Sequence, residues 1–237
     1  MTVIVVTGTG TEIGKTVVTA AVAAAALAQG RSVAVVKPAQ TGVAPGEDGD
    51  VDVVRRLAGN VTRTELARFP EPLAPATAAR RAGLAPVRPH EVAEAAAKLA
   101  TEHDLVLVEG AGGLLVRFDD DGATLADVAV ELAAPVLVVA PAGLGTLNMT
   151  ALTAEALRAR GLEQLGVVVG SWPGRPDLAA RCNLADLPQA AGAPLVGVVP
   201  EGAGAFSPVE FRRDAPAWLA PCLGGRWDVG AFTAAIG

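Results

Sequence analysis

With 237 residues the chain is long enough for one large α/β domain with a well-buried core, and hydrophobic residues at 51% against 19% charged exclude a disordered chain. The formal net charge of −6, with no Lys/Arg cluster, argues against a nucleic-acid partner. No run is long enough for a membrane span: Val17 to Ala28 is apolar over only 12 residues, and Leu132 to Ala142 is interrupted by Pro135 and Pro141. The N-terminus lacks the basic segment of a signal peptide, so a cytoplasmic location with no membrane partner is the default expectation. Cys182 and Cys222 lie far apart without metal-ligand spacing and read as incidental thiols.

In chain order, Val3 to Thr7 is a short continuous apolar run, the pattern of a strand buried on both faces in a parallel sheet. Gly8 to Gly14 supplies a flexible turn, and Lys15 to Gln29 reads as a helix that Gly30 ends. Ser32 to Val36 is the next strand, delivering Lys37-Pro38 at its carboxyl end, which makes a βαβ unit of the first 36 residues. Val51 to Gly59 follows as a short helix after an acidic loop. Pro70, Pro72 and Pro75 are expected to stop regular structure, and Pro89 to Glu102 reads as a helix with Glu91 and Glu94 favouring its first turns. Asp104 to Val108 is a strand with Glu109 at its end, before a flexible Gly110-Ala111-Gly112-Gly113 turn.

Beyond it the spacing predicts a helix over Leu125 to Leu132, a strand over Pro135 to Ala140, a helix over Asn148 to Arg160 and a strand over Leu165 to Gly170. Asp177 to Asp186 reads as helical and Pro194 to Val199 as a short strand, while Pro and Gly leave the segment from about residue 200 to 237 irregular. Repeated buried strand, polar or glycine loop, then helix is the pattern of a doubly wound, mostly parallel α/β sheet flanked by helices. One α/β domain over 1–237 is therefore expected.

The sharpest chemical signal is Gly8-Thr9-Gly10-Thr11-Glu12-Ile13-Gly14-Lys15-Thr16, set between a buried strand and a helix. Glycines let the backbone wrap phosphate oxygens, the helix start presents unpaired N–H groups, Lys15 adds a cation and the Thr16 hydroxyl can ligate Mg²⁺. The strict spacing would place glycine at Thr9, so the match is offset by one residue at its first position. Mg²⁺ needs further hard oxygen ligands. Glu109, at the end of a strand, can face the crevice, and Glu47-Asp48-Gly49-Asp50-Val51-Asp52 offers a second carboxylate. Lys37 closes a buried strand beside the loop, and two lysines near one phosphate chain suit a reaction that develops negative charge on both donor and acceptor. His90 and His103 flank a helix without ligand spacing and read as surface residues.

Taken together, Val6 to Thr16, Lys37-Pro38-Ala39-Gln40-Thr41-Gly42, Pro72-Leu73-Ala74-Pro75, Val108 to Gly113 and Leu144-Gly145-Thr146-Leu147-Asn148 resemble the dethiobiotin synthetase family of biotin biosynthesis, in the family's order and over about residues 3 to 170. The resemblance implies an ATP- and Mg²⁺-dependent cyclo-ligase that makes dethiobiotin, ADP and phosphate from 7,8-diaminononanoate, CO₂ and ATP. It implies a catalytic set of Lys15, Lys37 and Thr11 and a metal shell of Thr16, Asp50 and Glu109, with Asp50 taken over Asp48 and Asp52 from its spacing to Arg56. Nucleotide contacts are implied along Gly10, Thr11, Glu12, Ile13, Gly14, Lys15, Thr16 and Val17, at Glu109, and at Gly170, Ser171, Pro200, Glu201 and Gly202. Substrate contacts are implied at Lys37, Thr41, Pro72, Glu109, Gly110, Ala111, Gly112 and Gly113. The family is dimeric, which implies a homodimer in which Leu144, Gly145 and Asn148 receive the substrate carboxylate from the neighbouring subunit.

Two departures from the family pattern stand out. Gly10 replaces an acidic residue often found in the loop, and Gly170-Ser171-Trp172 stands where many members carry an Asn near the nucleotide base. A partitioning ATPase would carry a second lysine near the start of the loop, where Gly10 stands. An amidotransferase would want a nucleophilic Cys with a partner His.

Overall fold

A computed structural model describes residues 2–236, so the ends of the expected 1–237 domain, residues 1 and 237, lie outside the described residues. Seven parallel strands form one sheet: β1 (Thr2–Gly8), β2 (Val33–Thr41), β3 (Thr62–Phe69), β4 (Leu105–Gly113), β5 (Val136–Ala140), β6 (Gln164–Trp172) and β7 (Leu195–Pro200). Their order across the sheet is β3-β2-β4-β1-β5-β6-β7. The chain first moves outward from β1 to β2 and β3, returns to place β4 between β2 and β1, then crosses to β5 on the other side of β1 and continues in the opposite direction. This reversal beside β1 is the place where open α/β sheets form their ligand crevice. The first βαβ unit is therefore wider than its sequence suggests, because β4 lies between β1 and β2.

Val-rich strands alternate between two apolar layers with the period of two that a pleated strand imposes. Val5, Val106, Val108, Val136 and Val138 enter one core, while Ile4, Val6, Leu105, Leu107, Leu137 and Val139 enter the other. The first core is covered by α3 (Pro75–Ala82), α4 (Pro89–Ala100), α5 (Leu125–Glu131) and α7 (Leu178–Ala191), with α6 (Thr146–Arg158) beside α7. The second is covered by α1 (Lys15–Ala28) and α2 (Asp50–Ala58). Seven alanines run through α1 between positions 20 and 28, and those from Ala20 to Ala26 are buried. Without bulky side chains the helix packs closely on the sheet and on α2 together, holding the glycine-rich loop at its start in a fixed position.

Several elements differ from the sequence expectations. The segment Thr62–Phe69, to which the sequence reading assigns no element, is edge strand β3, and its Thr, Arg and Glu content suits an edge because only one side of it is paired. Pro75 opens α3 rather than stopping structure, since its missing N–H falls where a helix has no internal partner for it. Lys37-Pro38 does not end β2: pairing to β4 stops at Val36↔Val108, but pairing to β3 resumes at Ala39↔Ala67 and continues to Thr41↔Phe69. Pro38 is tolerated because it lies beyond the last β4 pair. Likewise Glu109 lies within β4, and Gly110 to Gly113 extend that strand instead of forming a loose turn. Helix α7 runs through Pro188 to Ala191, where buried Leu187 and Ala191 hold the last turn against the core.

The segment after Pro200 is more ordered than its Pro and Gly content predicts. Single 3₁₀ turns alternate with α8 (Pro208–Asp214), and α9 (Val229–Ile236) closes the described chain. Arg212 in α8 donates through Nε to the Leu57 carbonyl at 3.1 Å, and Arg56 donates to the Gly204 carbonyl at 2.9 Å, so this segment is tied onto the end of α2. Phe232 of α9 packs edge-on against Trp172 at the end of β6, ring centres 5.5 Å apart. No helix among the described residues is long and apolar enough to cross a membrane.

Candidate active site

The crevice opens at the carboxyl ends of β1, β2 and β4 as a cavity of about 710 Å³. Its floor is the loop that joins β1 to α1. The loop turns at Glu12 (φ 58°) and Gly14 (φ 94°), both left-handed, and Gly14 is the residue from which α1 starts. A side chain at Gly14 is barred twice, by that φ and by the carbonyl oxygen of Gly170, which a Cβ would approach to 2.3 Å. The reverse holds too: a Cβ on Gly170 would lie 2.1 Å from the Ile13 carbonyl oxygen. These two glycines let β6 press against the back of the loop. The start of α1, with its free N–H groups, forms a ready anion site facing the cavity.

Charge is concentrated on one side of that cavity. Lys37 and Glu109 sit on neighbouring strands, each one residue beyond the Val36↔Val108 pair, and they are 3% and 1% exposed. The Lys37 ammonium donates to Glu109 Oε1 at 2.9 Å and to the Gly110 carbonyl at 3.2 Å, and lies 2.5 Å from Asp50 Oδ2. Thr16 donates its hydroxyl to the same Glu109 oxygen at 2.8 Å. Lys15, also buried, turns back to the Gly10 carbonyl at 2.8 Å. Burial alone would lower the pKa of Lys37, but the charges and hydrogen bonds of Glu109 and Asp50 outweigh it and hold the ammonium above its ordinary value. Lys15 shifts the other way, because burial and then the neighbouring Lys37 charge disfavour its ammonium more than Glu109 and Asp50 favour it. An incoming polyanion would relieve both penalties on Lys15.

The acidic loop is now resolved into distinct roles. Asp50 points to Lys37, whereas Asp52 pairs with Arg63 and accepts the Gly49 N–H at 2.9 Å, and Asp48 is exposed. Glu109 Oε2 is buried with no hydrogen-bond partner among the described residues, an orphan that a hard cation would satisfy. A threonine hydroxyl and two carboxylates facing one cavity match the sparse oxygen set Mg²⁺ prefers, with waters completing its shell. No cluster of three or more His, Cys, Asp or Glu residues suited to a metal occurs among the described residues, consistent with the absence of a dedicated protein cage.

Of the residues expected to bind nucleotide or substrate, Thr11 to Val17, Lys37, Thr41, Asp50, Pro72, Glu109, Ala111 and Gly112 line this cavity. Gly10 flanks it through its contact with Lys15. Gly110 and Gly113 belong to the same β4 segment but do not line it; a Cβ on Gly110 would lie 2.4 Å from Leu125 Cδ2, so its role here is close packing. Gly170 is buried against the loop, and Ser171, Pro200, Glu201 and Gly202 follow at the ends of β6 and β7, outside the cavity wall. The Glu201 N–H donates to the Trp172 carbonyl at 2.8 Å, which joins these two segments. Leu144, Gly145 and Asn148 lie at the start of α6, apart from the cavity, with Leu144 93% exposed.

Residues to which the sequence reading assigns no role also line the cavity, notably Gln40, Val43, Leu73 and Val116. Gln40 is buried between Asp50 and Thr41, and its place within the Lys37 to Gly42 string was the only sign in the sequence. Val116 carried no sign at all, because nothing local distinguishes it from a core valine. Cys182 and Cys222 are exposed and free, and His90 is exposed, all remote from this chemistry.

A parallel sheet with a glycine-rich loop, a lysine and a threonine opening the first helix, and a carboxylate on the adjacent strand defines a P-loop nucleotide-binding protein. The solved structures similar to this chain bear out the fold: a MinC:MinD cell division complex from Aquifex aeolicus matches with a TM-score of 0.58 at 16% identity, covering 99% of this chain and 96% of that one. MinD of Pyrococcus horikoshii, solved with Mg-ADP, matches with a TM-score of 0.56 at 19% identity over 94% of each chain. A family model described as an AAA domain matches residues 2–205. Proteins named ATP-dependent dethiobiotin synthetase are far more similar in sequence: that of Streptomyces avermitilis is 73% identical, covering 100% of this chain and 99% of the relative. That of Saccharopolyspora erythraea is 74% identical over 96% of this chain and 100% of its own length. The chain belongs to the dethiobiotin synthetase family.

Proposed function

We propose that this chain is an ATP-dependent dethiobiotin synthetase, a ligase that uses ATP to close the ureido ring of dethiobiotin from 7,8-diaminononanoate and CO₂, and that the whole chain works as one nucleotide-binding domain. The observation that carries the chemistry is the second buried lysine, Lys37, held charged between Asp50 and Glu109 beside the phosphate loop. A plain nucleotide-hydrolysing site has no need of a buried cation on the acceptor side. In the proposed sequence one amine of the substrate adds CO₂ to give a carbamate and loses a proton. A carbamate oxygen then takes the γ-phosphoryl group as ADP leaves, and the second amine attacks the carbamate carbon, expelling phosphate and closing the ring.

Lys15 at the start of α1 and Lys37 on β2 both line the cavity, so each would offset negative charge where donor and acceptor oxygens develop it. The N–H groups at the start of α1 would hold the phosphates, and Thr11 on the loop lies against Gly112 of β4, where a Cβ would come within 3.5 Å of its hydroxyl. Thr41 and Gly112 border the space beside Lys37 where the diamine and its carbamate would lie. Mg²⁺, held by Thr16, Asp50 and Glu109, would neutralise the triphosphate and polarise its terminal phosphoryl group. The adenosine would extend along Gly170, Ser171, Pro200, Glu201 and Gly202.

We also propose a homodimer, formed in the cytoplasm. Met149 and Leu152 on α6 and Leu115 after β4 are exposed apolar side chains around a shallow groove, and Leu144, just before α6, is exposed as well, which supports burial of this face against a second copy. Leu144, Gly145 and Asn148 would then reach the neighbouring subunit's substrate.

Purified protein given 7,8-diaminononanoate, bicarbonate and MgATP is expected to release phosphate and form dethiobiotin, read by mass. Lys37→Gln should bind nucleotide nearly normally yet lose most ring closure. No dethiobiotin from folded, nucleotide-bound protein would overturn the proposal, and a monomeric mass by light scattering would overturn the dimer.

A further inference from the structure

The carboxylate of Asp50 is carried by the first residue of α2, and that helix start has an unusual cap. The residue before it, Gly49, has no side chain with which to cap the helix, and none would fit: a Cβ there would lie 2.9 Å from Arg68 Nη2, 3.0 Å from Gln40 Oε1 and 3.1 Å from Glu65 Oε2. The free Asp50 N–H is instead taken by Gln40 Oε1 at 2.8 Å. Gln40 belongs to β2, ten residues earlier, and is 4% exposed. Its amide nitrogen donates to the Thr41 carbonyl at 3.3 Å, which turns the oxygen towards Asp50. The cap is thus supplied by the strand that also carries Lys37, the partner of the Asp50 carboxylate.

Behind this contact the loop is pinned from the edge strand. Arg68 forms a two-pronged pair with Glu65 and donates to the carbonyls of Ala44 and Glu47, at 3.1 and 2.6 Å. Those bonds fix the loop before Gly49, but none of them reaches Asp50. Among the described residues, only Gln40 ties the Asp50 backbone to β2.

Resting on the function proposed above, we infer that Gln40 is a positioning residue that sets the Asp50 carboxylate for Mg²⁺ by capping α2 from the strand bearing Lys37. Its amide is engaged by the Thr41 carbonyl and the Asp50 N–H, so the role assigned to it runs through Asp50. Its loss acts through Asp50, so it changes the divalent-ion requirement rather than the chemistry at saturating metal.

Two variants separate the possibilities. Gln40→Met keeps the length of the side chain without an acceptor, and Gln40→Glu keeps an acceptor for the Asp50 N–H. Hydrogen exchange of the peptide spanning residues 49–54 is expected to quicken by about fivefold in Gln40→Met, as for loss of a helix cap, and to stay near the parent rate in Gln40→Glu. The Mg²⁺ concentration for half-maximal dethiobiotin formation should rise about tenfold in Gln40→Met, the usual consequence of losing a supporting contact behind a metal ligand. Its rate at saturating Mg²⁺ should stay within about threefold of the parent. Unchanged exchange in a folded Gln40→Met protein would overturn the inference, as would a rate loss that no Mg²⁺ concentration restores. If the parent protein made no dethiobiotin, the functional proposal would fail, while the exchange measurement would still decide whether Gln40 holds Asp50.

Discussion

On the β2-β4-β1 side of the crevice, Lys15, Lys37 and Glu109 are charged and almost wholly buried, whereas β5, β6, β7 and their helices contribute no buried charged side chain among the described residues. Buried charge is costly unless paired, so its presence marks where the fold must meet charge from a ligand. The two sides accordingly reach their positions by different means. One side uses paired side chains at adjacent strand positions. The other brings backbone close to backbone, as Gly14 and Gly170 do, and leaves its outer loops to small or exposed residues.

The two lysines allow the largest test of this contrast. Lys15→Ala should lower turnover by at least about 100-fold, because a preorganised cation at a transferring phosphoryl group is worth a few kcal/mol. Near-normal turnover in a folded variant would remove Lys15 from the chemistry. Their effects on stability should have opposite signs. Lys37 has a raised pKa, so its ion pairs contribute stability that is fully present below about pH 10.5 and is lost as pH rises through the higher folded value. Lys37→Gln should therefore destabilise the protein at neutral pH, by about 3 kcal/mol, since it strands a buried Glu109. Lys15 has a lowered pKa, so its charge opposes folding below the folded value and the penalty fades as pH climbs to about 10.5. Lys15→Met should leave the ligand-free protein as stable as the parent or more so. Denaturant unfolding of both variants at neutral pH and above pH 10 checks the pair of signs.

Within the charged side, Glu109 and Asp50 should separate by burial. Glu109→Gln is expected to raise the half-saturating Mg²⁺ concentration by about tenfold or more, and Asp50→Asn by less, because Asp50 is 33% exposed and water already screens it. Equal Mg²⁺ titrations for both variants and the parent would remove both carboxylates from the metal shell.

The same contrast explains what was legible before the fold was known. Val3 to Thr7 is buried on both faces, so its apolar run is continuous and the phosphate loop that follows stands out. Glu109 was legible for a similar reason, a lone charge after four apolar residues. Strand β3 was not, since its sequence Thr62 to Phe69 is shaped by an edge position and by Arg63, Glu65 and Arg68, which serve the loop around Gly49. Gln40 had no signal of its own because its meaning depends on a helix start ten residues away. The C-terminal helices were hidden because their order comes from contacts such as Arg212 with Leu57, not from local periodicity.

The smallest effect should come from changing the nucleotide base. A site that reads a base through paired, buried side-chain hydrogen bonds rejects the wrong one by about 10⁴-fold, because mismatched partners are left unsatisfied. A site that touches the base with backbone and small groups discriminates far less. Along the proposed base path, Gly170 can carry no side chain without striking Ile13 and Val139, Pro200 and Gly202 have no side-chain donor, and Glu201 is exposed. Ser171 is the one half-buried polar side chain left. Replacing ATP by CTP or GTP at equal Mg²⁺ should therefore change kcat/KM for dethiobiotin formation by less than about 100-fold, and kcat by less than about tenfold, since in the proposed site the phosphates would stay on Lys15 and the α1 start whichever base is attached. A loss of about 10⁴-fold with either nucleotide would mean that the β6-β7 side reads the base through side chains after all, and that the asymmetry between the two sides of the crevice is not how this site divides its work.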